Sequence, residues 1–196
     1  MNLTESMPAN TVETALRRRF ESDASVWAMR ALLVVGGSLL VTACAKVSVP
    51  LPHSPVPVSM SNFGVLLVGL LLGGRAGLAA LLLYLLEGAS GLPVFSHGSL
   101  GLLGPTGGYL MAYPFVAFLA GAINERVPRG FLRALSGSLL AEILLFAVGI
   151  TWLIAVYHVP LALAAQWGLY PFLVAEAAKL IAAAGISNRL LGARKA

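Results

Sequence analysis

The sequence predicts an all-α integral membrane protein, and three features of its composition support that fold class. Hydrophobic residues make up 58% of the 196 residues, a share that does not include the 21 glycines. Only 11% of the residues are charged, whereas soluble domains carry about 25%. The apolar runs approach the roughly 20 residues that a helix needs to cross a bilayer. These features exclude a soluble enzyme and a disordered chain, and the single Cys44 excludes a disulfide scaffold.

The N-terminal third predicts a polar tail, a first span and a proline-rich connection. Residues 1–25 are polar and contain three consecutive arginines, so we expect a cytoplasmic tail; the first apolar run follows at 27–45. Residues 41–44 resemble a lipoprotein cleavage site, but the arginines lie unusually far upstream, and Cys44 is interpreted as an ordinary residue of the span. The segment 46–58 contains four prolines, which exclude a helix and favour extended backbone, so we expect a stiff loop outside the membrane.

Charge decides whether residues 62–86 form one long helix or two short spans broken at Gly73-Gly74-Arg75. An arginine in the middle of a single span would cost roughly 2.5–3.5 kcal/mol. A single helix would also place the basic C-terminal segments on the other side of the membrane from the arginine-rich N-terminus. Two helices give six spans, with eleven basic residues inside and only Lys46 in an outside loop. The positive-inside rule therefore favours six spans with both termini in the cytoplasm.

The membrane domain is thus expected to cover residues 26–190 as a six-helix bundle, with a short cytoplasmic tail at 191–196. The later spans are predicted at 76–89, 108–123, 134–156 and 168–187. The connections are predicted as a glycine-rich outside loop at 90–107, an inside loop at 124–133 and a short outside loop at 158–166.

Four ionisable side chains fall within these spans, where such groups are costly and usually functional. Glu176 and Lys179 share one face of the sixth span, either as a self-neutralising ion pair or as a site for a polar or anionic ligand. Glu87 ends the third span and either caps the amides of the adjoining loop or accepts hydrogen bonds from a ligand. Glu142 lies on the inner half of the fifth span, away from this outer site, so we expect it to make a structural or partner contact.

The loop at 91–108 is apolar yet rich in glycine and proline, which predicts a lid over a site. Irregular backbone at membrane depth is tolerated only where it is buried in protein or lines a cavity. Phe95 and Tyr84 could supply apolar walls there. The sequence contains no P-loop, nucleophile elbow or His-Glu-x-x-His motif, so we expect neither an enzyme nor a resident cofactor. His53 and His97 have no ligands spaced around them, so a metal site is not expected.

Five short motifs carry a resemblance to a known family. Two are highly specific at their spacing: Gly-Leu-Pro-Val-Phe at 91–95 and Gly-Pro-Thr-Gly-Gly-Tyr-Leu at 104–110. The others are the proline-rich run 49–58, Tyr-Leu-Leu-Glu-Gly at 84–88, and Pro-Phe-Leu at 171–173 followed by Glu176 and Lys179. Together they closely resemble the BioY family, the biotin-specific S components of energy-coupling-factor (ECF) transporters. The resemblance covers about residues 30–190 and leaves out the first 25.

The resemblance implies a six-helix bundle of the ECF S-component type in the inner membrane of a bacterium or archaeon. Such a protein is a high-affinity substrate-binding subunit that captures biotin in an outward-facing pocket. A membrane-embedded coupling protein and ABC-type ATPase subunits would be its partners in ATP-driven import. In the family, docking to the coupling protein often uses small residues on the first helix. Ser38 and Thr42 match that pattern only loosely.

The resemblance also implies a set of substrate-binding residues. An acidic residue and a lysine three positions later help to bind biotin in the family, which matches Glu176 and Lys179, although the acidic residue is often Asp. Where many members carry a ligand-facing glutamine, this chain has Ser61, and Asn62 is the candidate substitute. The expected set is completed by residues of the quoted motifs, so that it comprises Glu176, Lys179, Glu87, Tyr84, Asn62 and Phe95.

Three other interpretations remain open at this stage. The same scaffold could bind another small vitamin, which competition binding would distinguish. An intramembrane enzyme using Glu87, Glu176 and His97 would lack a nucleophile–base pair. A purely structural helical subunit would not explain why a charged pair and a helix-breaking loop lie at membrane depth, where both are energetically unfavourable.

Overall fold

The computed structural model describes residues 9–96, 101–126 and 130–192. The chain forms seven helices within these ranges: α1 (Ala9–Lys46), α2 (Ser61–Leu72), α3 (Gly74–Ala89), α4 (Gly107–Asn124), α5 (Phe131–Tyr157), α6 (Leu161–Gly168) and α7 (Leu173–Gly192). A two-stranded sheet, β1 (Ser48–Leu51) and β2 (Ser54–Ser59), follows α1, and one turn of 3-10 helix lies at Gly101–Leu103. His97 and most of the predicted tail at 191–196 lie outside the described residues.

Apolar helices that expose their side chains make this a multi-pass membrane protein. The segment Ser25–Lys46 of α1, α4 and α5 are each long and apolar enough to cross a membrane. The pair α6 and α7, bent by 52°, meets the same test when taken together, which brings the number of candidate spans among the described residues from three to four. Trp27 and Leu32 on α1 are each 66% exposed, which suits a lipid-facing surface.

The proline-rich segment forms an antiparallel hairpin rather than an unpaired loop. Ser48 pairs with Ser59 and Val49 with Val58, and the register shifts before Leu51 meets its partner. The extended backbone was predicted correctly, but the pairing was not. A two-stranded sheet has two open edges, where prolines need no hydrogen-bonded N–H.

The predicted break between α2 and α3 is confirmed at Gly73. This residue has φ +87°, and α3 begins at Gly74, two residues before the predicted start. The Glu125 carboxylate accepts a hydrogen bond from the Gly74 N–H at 3.2 Å. A Cβ on Gly77 would lie only 3.1 Å from the Cα of Gly69, so the two helices pack side by side and run in opposite directions. Residues 62–86 are therefore two helices, not one.

Gly73→Ala is expected to destabilise the protein by about 1–3 kcal/mol, because this backbone conformation is almost restricted to glycine. The new Cβ would also lie 1.9 Å from Glu125 Oε1 and displace that carboxylate. Thermal unfolding in detergent measures the effect. Gly36→Ala is the matched control, since its Cβ would meet nothing within 4 Å and alanine favours helix. Equal unfolding midpoints for the two variants would contradict this account of the break.

The predicted loop at 158–166 is wrong, because most of it is helix α6. Pro160 precedes the first residue of α6 with φ −66°, and His158 ends α5 in the left-handed region. Proline at a helix start and the run of Leu, Ala and Gln are both helix signals. The helix predicted to begin at residue 168 correspondingly begins at Leu173 as α7, five residues later than expected.

Candidate functional site

A small cavity lies where the hairpin meets four helices. It encloses about 50 Å³. Its wall mixes aromatic and aliphatic side chains with a few polar groups from β2, α2, the loop before α4, α4, α5 and α7. The lining residues are Val56, Pro57, Ser59, Asn62, Ser96, Thr106, Tyr109, Leu110, Tyr113, Leu145, Phe146, Phe172 and Glu176. An apolar enclosure with convergent polar groups is typical of small-molecule sites.

Three helices bring four polar side chains together at the base of this cavity. We call Asn62, Glu142, Glu176 and Lys179 the charged cluster; each is at most 6% exposed. The Asn62 side-chain amide donates to Glu142 Oε2 at 2.7 Å and to Glu176 Oε2 at 2.9 Å. Both of its N–H groups are therefore used, so the Asn62 carbonyl oxygen is the polar atom of this side chain that remains. That oxygen has no hydrogen-bond partner among the described residues.

Lys179 links the charged cluster to the hairpin. Its ammonium lies 2.6 Å from Glu176 Oε1 and donates to the Ser59 carbonyl, also at 2.6 Å. The three-residue spacing places both charges on one face of α7, as the sequence predicted. A buried ion pair of this kind contributes little net stability, but removing one partner leaves an uncompensated charge. The pair therefore fixes the geometry of the cavity base more than it stabilises the fold.

Aromatic residues form the walls of the cavity. The Tyr109 hydroxyl donates to the Gly168 carbonyl at 2.9 Å, and its ring meets Phe146 edge-on at 6.5 Å. Tyr113 and Phe172 also line the cavity and are almost fully buried. Tyr109 and Phe172 belong to motifs quoted from the sequence, whereas Tyr113 and Phe146 carried no sequence signal that separates them from ordinary core residues.

The segment 91–96 borders the cavity at Ser96, its last residue. Ser96 lines the cavity and donates to the Ser59 hydroxyl at 3.0 Å. The Phe95 ring packs edge-on against Tyr84 at 5.4 Å and lies directly over Gly88, where a Cβ would come within 2.0 Å of it. Lys46, at the end of α1, donates to the carbonyls of Pro93 and Phe95. Contacts with Lys46, Ser59 and Tyr84 therefore hold the described part of the loop that was predicted to be a lid.

The six predicted substrate-binding residues do not all meet at the cavity. Asn62 and Glu176 line it, and Lys179 lies directly behind Glu176. Tyr84 is fully buried and donates to the Val94 carbonyl at 3.3 Å, so Tyr84 and Phe95 support segment 91–96 rather than the cavity wall.

Two helix contacts differ from the arrangement expected from sequence. Glu87 does not line the cavity; its carboxylate accepts a hydrogen bond from Ser38. Ser38 is fully buried, so it does not lie on an outer docking face of α1. Glu142 was expected away from the site but joins the charged cluster, because α5 packs against α7.

A second, more open groove lies on the outer side of α4 and α5. It encloses about 380 Å³ but has no ionisable side chain among its lining residues. The apolar surface suits contact with lipid tails. The smaller cavity at the charged cluster is therefore the candidate ligand site.

Comparisons with known proteins agree on one family. The sequence model of the BioY family matches residues 14–196. The chain is 37% identical over 156 residues to "Probable biotin transporter BioY" of Pyrococcus horikoshii, covering 78% of this chain and 90% of the relative. It is 34% identical over 166 residues to "Biotin transporter BioY" of Thermotoga maritima, covering 83% and 96%. A solved S component for biotin from an ECF-type ABC transporter has a TM-score of 0.76 and 26% identity, with 86% of this chain and 93% of that chain covered.

Proposed function

The chain belongs to the BioY family, and from that premise we propose that it captures biotin in the cavity at the charged cluster. It acts as a substrate-binding subunit and not as an enzyme. The observation that carries the proposal is the buried set of polar groups at the base of an apolar, aromatic cavity. Burying these polar groups in a membrane protein is energetically unfavourable, and such groups usually serve a function. Binding of a polar ligand is a function that explains their presence.

The charges of the cluster set the orientation of the ligand in this proposal. Biotin has a ureido ring with N–H donors and a C=O acceptor, an apolar ring and chain, and a carboxylate. The one ammonium of the cluster, on Lys179, is already paired with Glu176, so an added anionic carboxylate would find no free cation there. The ureido ring therefore faces the cluster, where the Asn62 carbonyl oxygen accepts from a ureido N–H. Tyr109, Tyr113 and Phe172 pack against the apolar part.

Binding requires the cavity to widen. Pockets for small molecules enclose roughly 300–1,000 Å³, whereas this cavity encloses about 50 Å³. We propose that segment 91–96 and the hairpin move outward to admit biotin, since both border the cavity and neither is a membrane helix. Tyr84 and Phe95 hold the segment in its closed position, and Glu87 braces α3 against α1 through Ser38.

Lys46→Met is expected to speed dissociation of bound biotin by about three- to tenfold, because it removes the donor to two carbonyls of segment 91–96. Lys46→Arg keeps a positively charged donor and is expected to restore most of the slow dissociation. Stopped-flow or filter measurements of the dissociation rate check both variants. A Lys46→Met protein that releases biotin at the wild-type rate would show that this contact does not hold the lid.

For the membrane arrangement we propose six spans with both termini in the cytoplasm. Four spans come from α1, α4, α5 and the bent pair α6–α7, and the antiparallel pair α2 and α3 supplies two short ones. This arrangement keeps eleven basic residues on the inner side. The chain has no ATP-binding motif, so a coupling protein and ABC-type ATPases in the inner membrane of a bacterium or archaeon would drive import.

Uptake of labelled biotin into biotin-requiring cells tests the function. Cells that express the chain together with coupling and ATPase subunits are expected to accumulate biotin. Cells that express the chain alone should bind it without accumulation. Accumulation by the chain alone would overturn the proposed partners, and accumulation of a different vitamin would overturn the proposed substrate.

A further inference from the structure

Glu142 is a buried carboxyl group without a cation of its own. It is 5% exposed and lies in the middle of α5. Its Oε2 accepts from the Asn62 amide at 2.7 Å. Its Oε1 is buried and has no partner within the described part of the chain. A carboxylate in this position would carry an unpaired charge in a low-dielectric site, which is strongly unfavourable.

The neighbouring elements do not supply the missing positive charge. From α7, Glu176 and Lys179 face the cluster, and the Lys179 ammonium already lies on Glu176 Oε1 and the Ser59 carbonyl. From α4, Tyr109 and Tyr113 are the titratable groups, and the sequences of α2 and α6 contain none. On α5 itself, Arg133 is nine residues away, about 14 Å along the helix.

We propose that Glu142 binds a proton and that biotin capture depends on this proton. The proton removes the unpaired charge and turns Glu142 into an O–H donor next to the Asn62 amide. The Asn62 amide then donates one hydrogen bond to the neutral carboxylic acid of Glu142. It donates the other to the Glu176 carboxylate, which is paired with Lys179. This arrangement holds the Asn62 carbonyl oxygen toward the ligand. The part that concerns biotin rests on the proposed function, whereas the proton site itself does not.

Loss of this proton is expected to weaken binding. An ionised Glu142 would place a second carboxylate beside Glu176, on the other side of the Asn62 amide, and could no longer donate a hydrogen bond. We expect biotin affinity to fall about tenfold between about pH 6 and about pH 9. Glu142→Gln, a neutral isostere that cannot lose a proton, is expected to change its own biotin affinity by less than about twofold over the same pH range.

Infrared spectroscopy of the ligand-free protein in detergent tests the proton directly. The wild type is expected to show the C=O stretch of a protonated carboxyl at neutral pH, and this band should disappear in Glu142→Gln. Glu125→Gln is the matched control, because Glu125 is an exposed carboxylate whose contact with the Gly74 N–H an amide oxygen can keep. A band that is absent from the wild type, or that only Glu176→Gln removes, would overturn the assignment to Glu142.

Biotin titration across pH tests the link to capture. Binding that falls with pH in the wild type and in Glu125→Gln but not in Glu142→Gln supports the proposal. Equal pH dependence in all three proteins, or dependence on Na⁺ at constant pH, overturns it. Absence of biotin binding at every pH would instead contradict the proposed function, and the infrared result would still decide the proton site.

Discussion

Lys179→Ala is expected to weaken biotin binding by about a hundredfold while leaving a folded protein. The substitution removes the only ammonium of the charged cluster and leaves Glu176 and Glu142 facing one another across the Asn62 amide. Removing the ammonium leaves the Glu176 carboxylate as an uncompensated charge at the binding site, and a hundredfold loss of affinity corresponds to about 3 kcal/mol of binding free energy. The ammonium also holds the Ser59 carbonyl, so the hairpin loses its tie to α7.

Equilibrium binding in detergent measures this effect, with gel filtration and thermal unfolding as checks on folding. Arg189→Ala is the matched control, because Arg189 is an exposed basic residue further along α7. It is expected to bind biotin as the wild type does. A folded Lys179→Ala protein with wild-type affinity would show that the lysine only neutralises Glu176.

Asn62→Leu is expected to weaken binding by about fiftyfold. Leucine is similar in size but cannot donate to the carboxyl groups of Glu142 and Glu176, which the amide now bridges. A hydrogen bond to a charged group contributes about 1.5–3 kcal/mol, and the proposed acceptor for a ureido N–H is lost as well. The effect should therefore exceed that of removing an ordinary contact in the wall.

A second buried asparagine provides the comparison for this substitution. Asn124 is also 4% exposed and donates to the Leu70 carbonyl at 3.1 Å, at the other end of α2. Asn124→Leu is expected to lower the unfolding temperature without changing biotin affinity. If both variants lose affinity and stability in the same proportion, Asn62 acts through the fold and not through the site.

The parts of the site that the sequence predicted are those set by local spacing. Glu176 and Lys179 share a helix face because they are three residues apart, and the glycine break at Gly73 is visible in the sequence. Glu142 could not be assigned to the same cluster, because its position depends on how α5 packs against α7. Tyr113 was missed for the same reason, since one aromatic residue in an apolar helix resembles any core residue.

Two elements were missed although their signals were present. The prolines at 50, 52, 55 and 57 indicated extended backbone, but whether two extended segments pair depends on the turn between them and on the register. Helix α6 has a proline before its first residue and good helix formers after it, but at eight residues it is too short to be recognised as a membrane span. The prediction failed there because the helix is short, and not because its residues disfavour helix.

Equilibrium binding of labelled biotin to the purified chain, without any partner subunit, tests the central claim most directly. The account predicts saturable, tight binding that unlabelled biotin abolishes and that thiamine and riboflavin leave unchanged. Lys179→Ala and Asn62→Leu should weaken this binding strongly while Arg189→Ala keeps it. A folded, ligand-free preparation that binds no biotin, or binds it equally well without Lys179 and Asn62, would contradict the account.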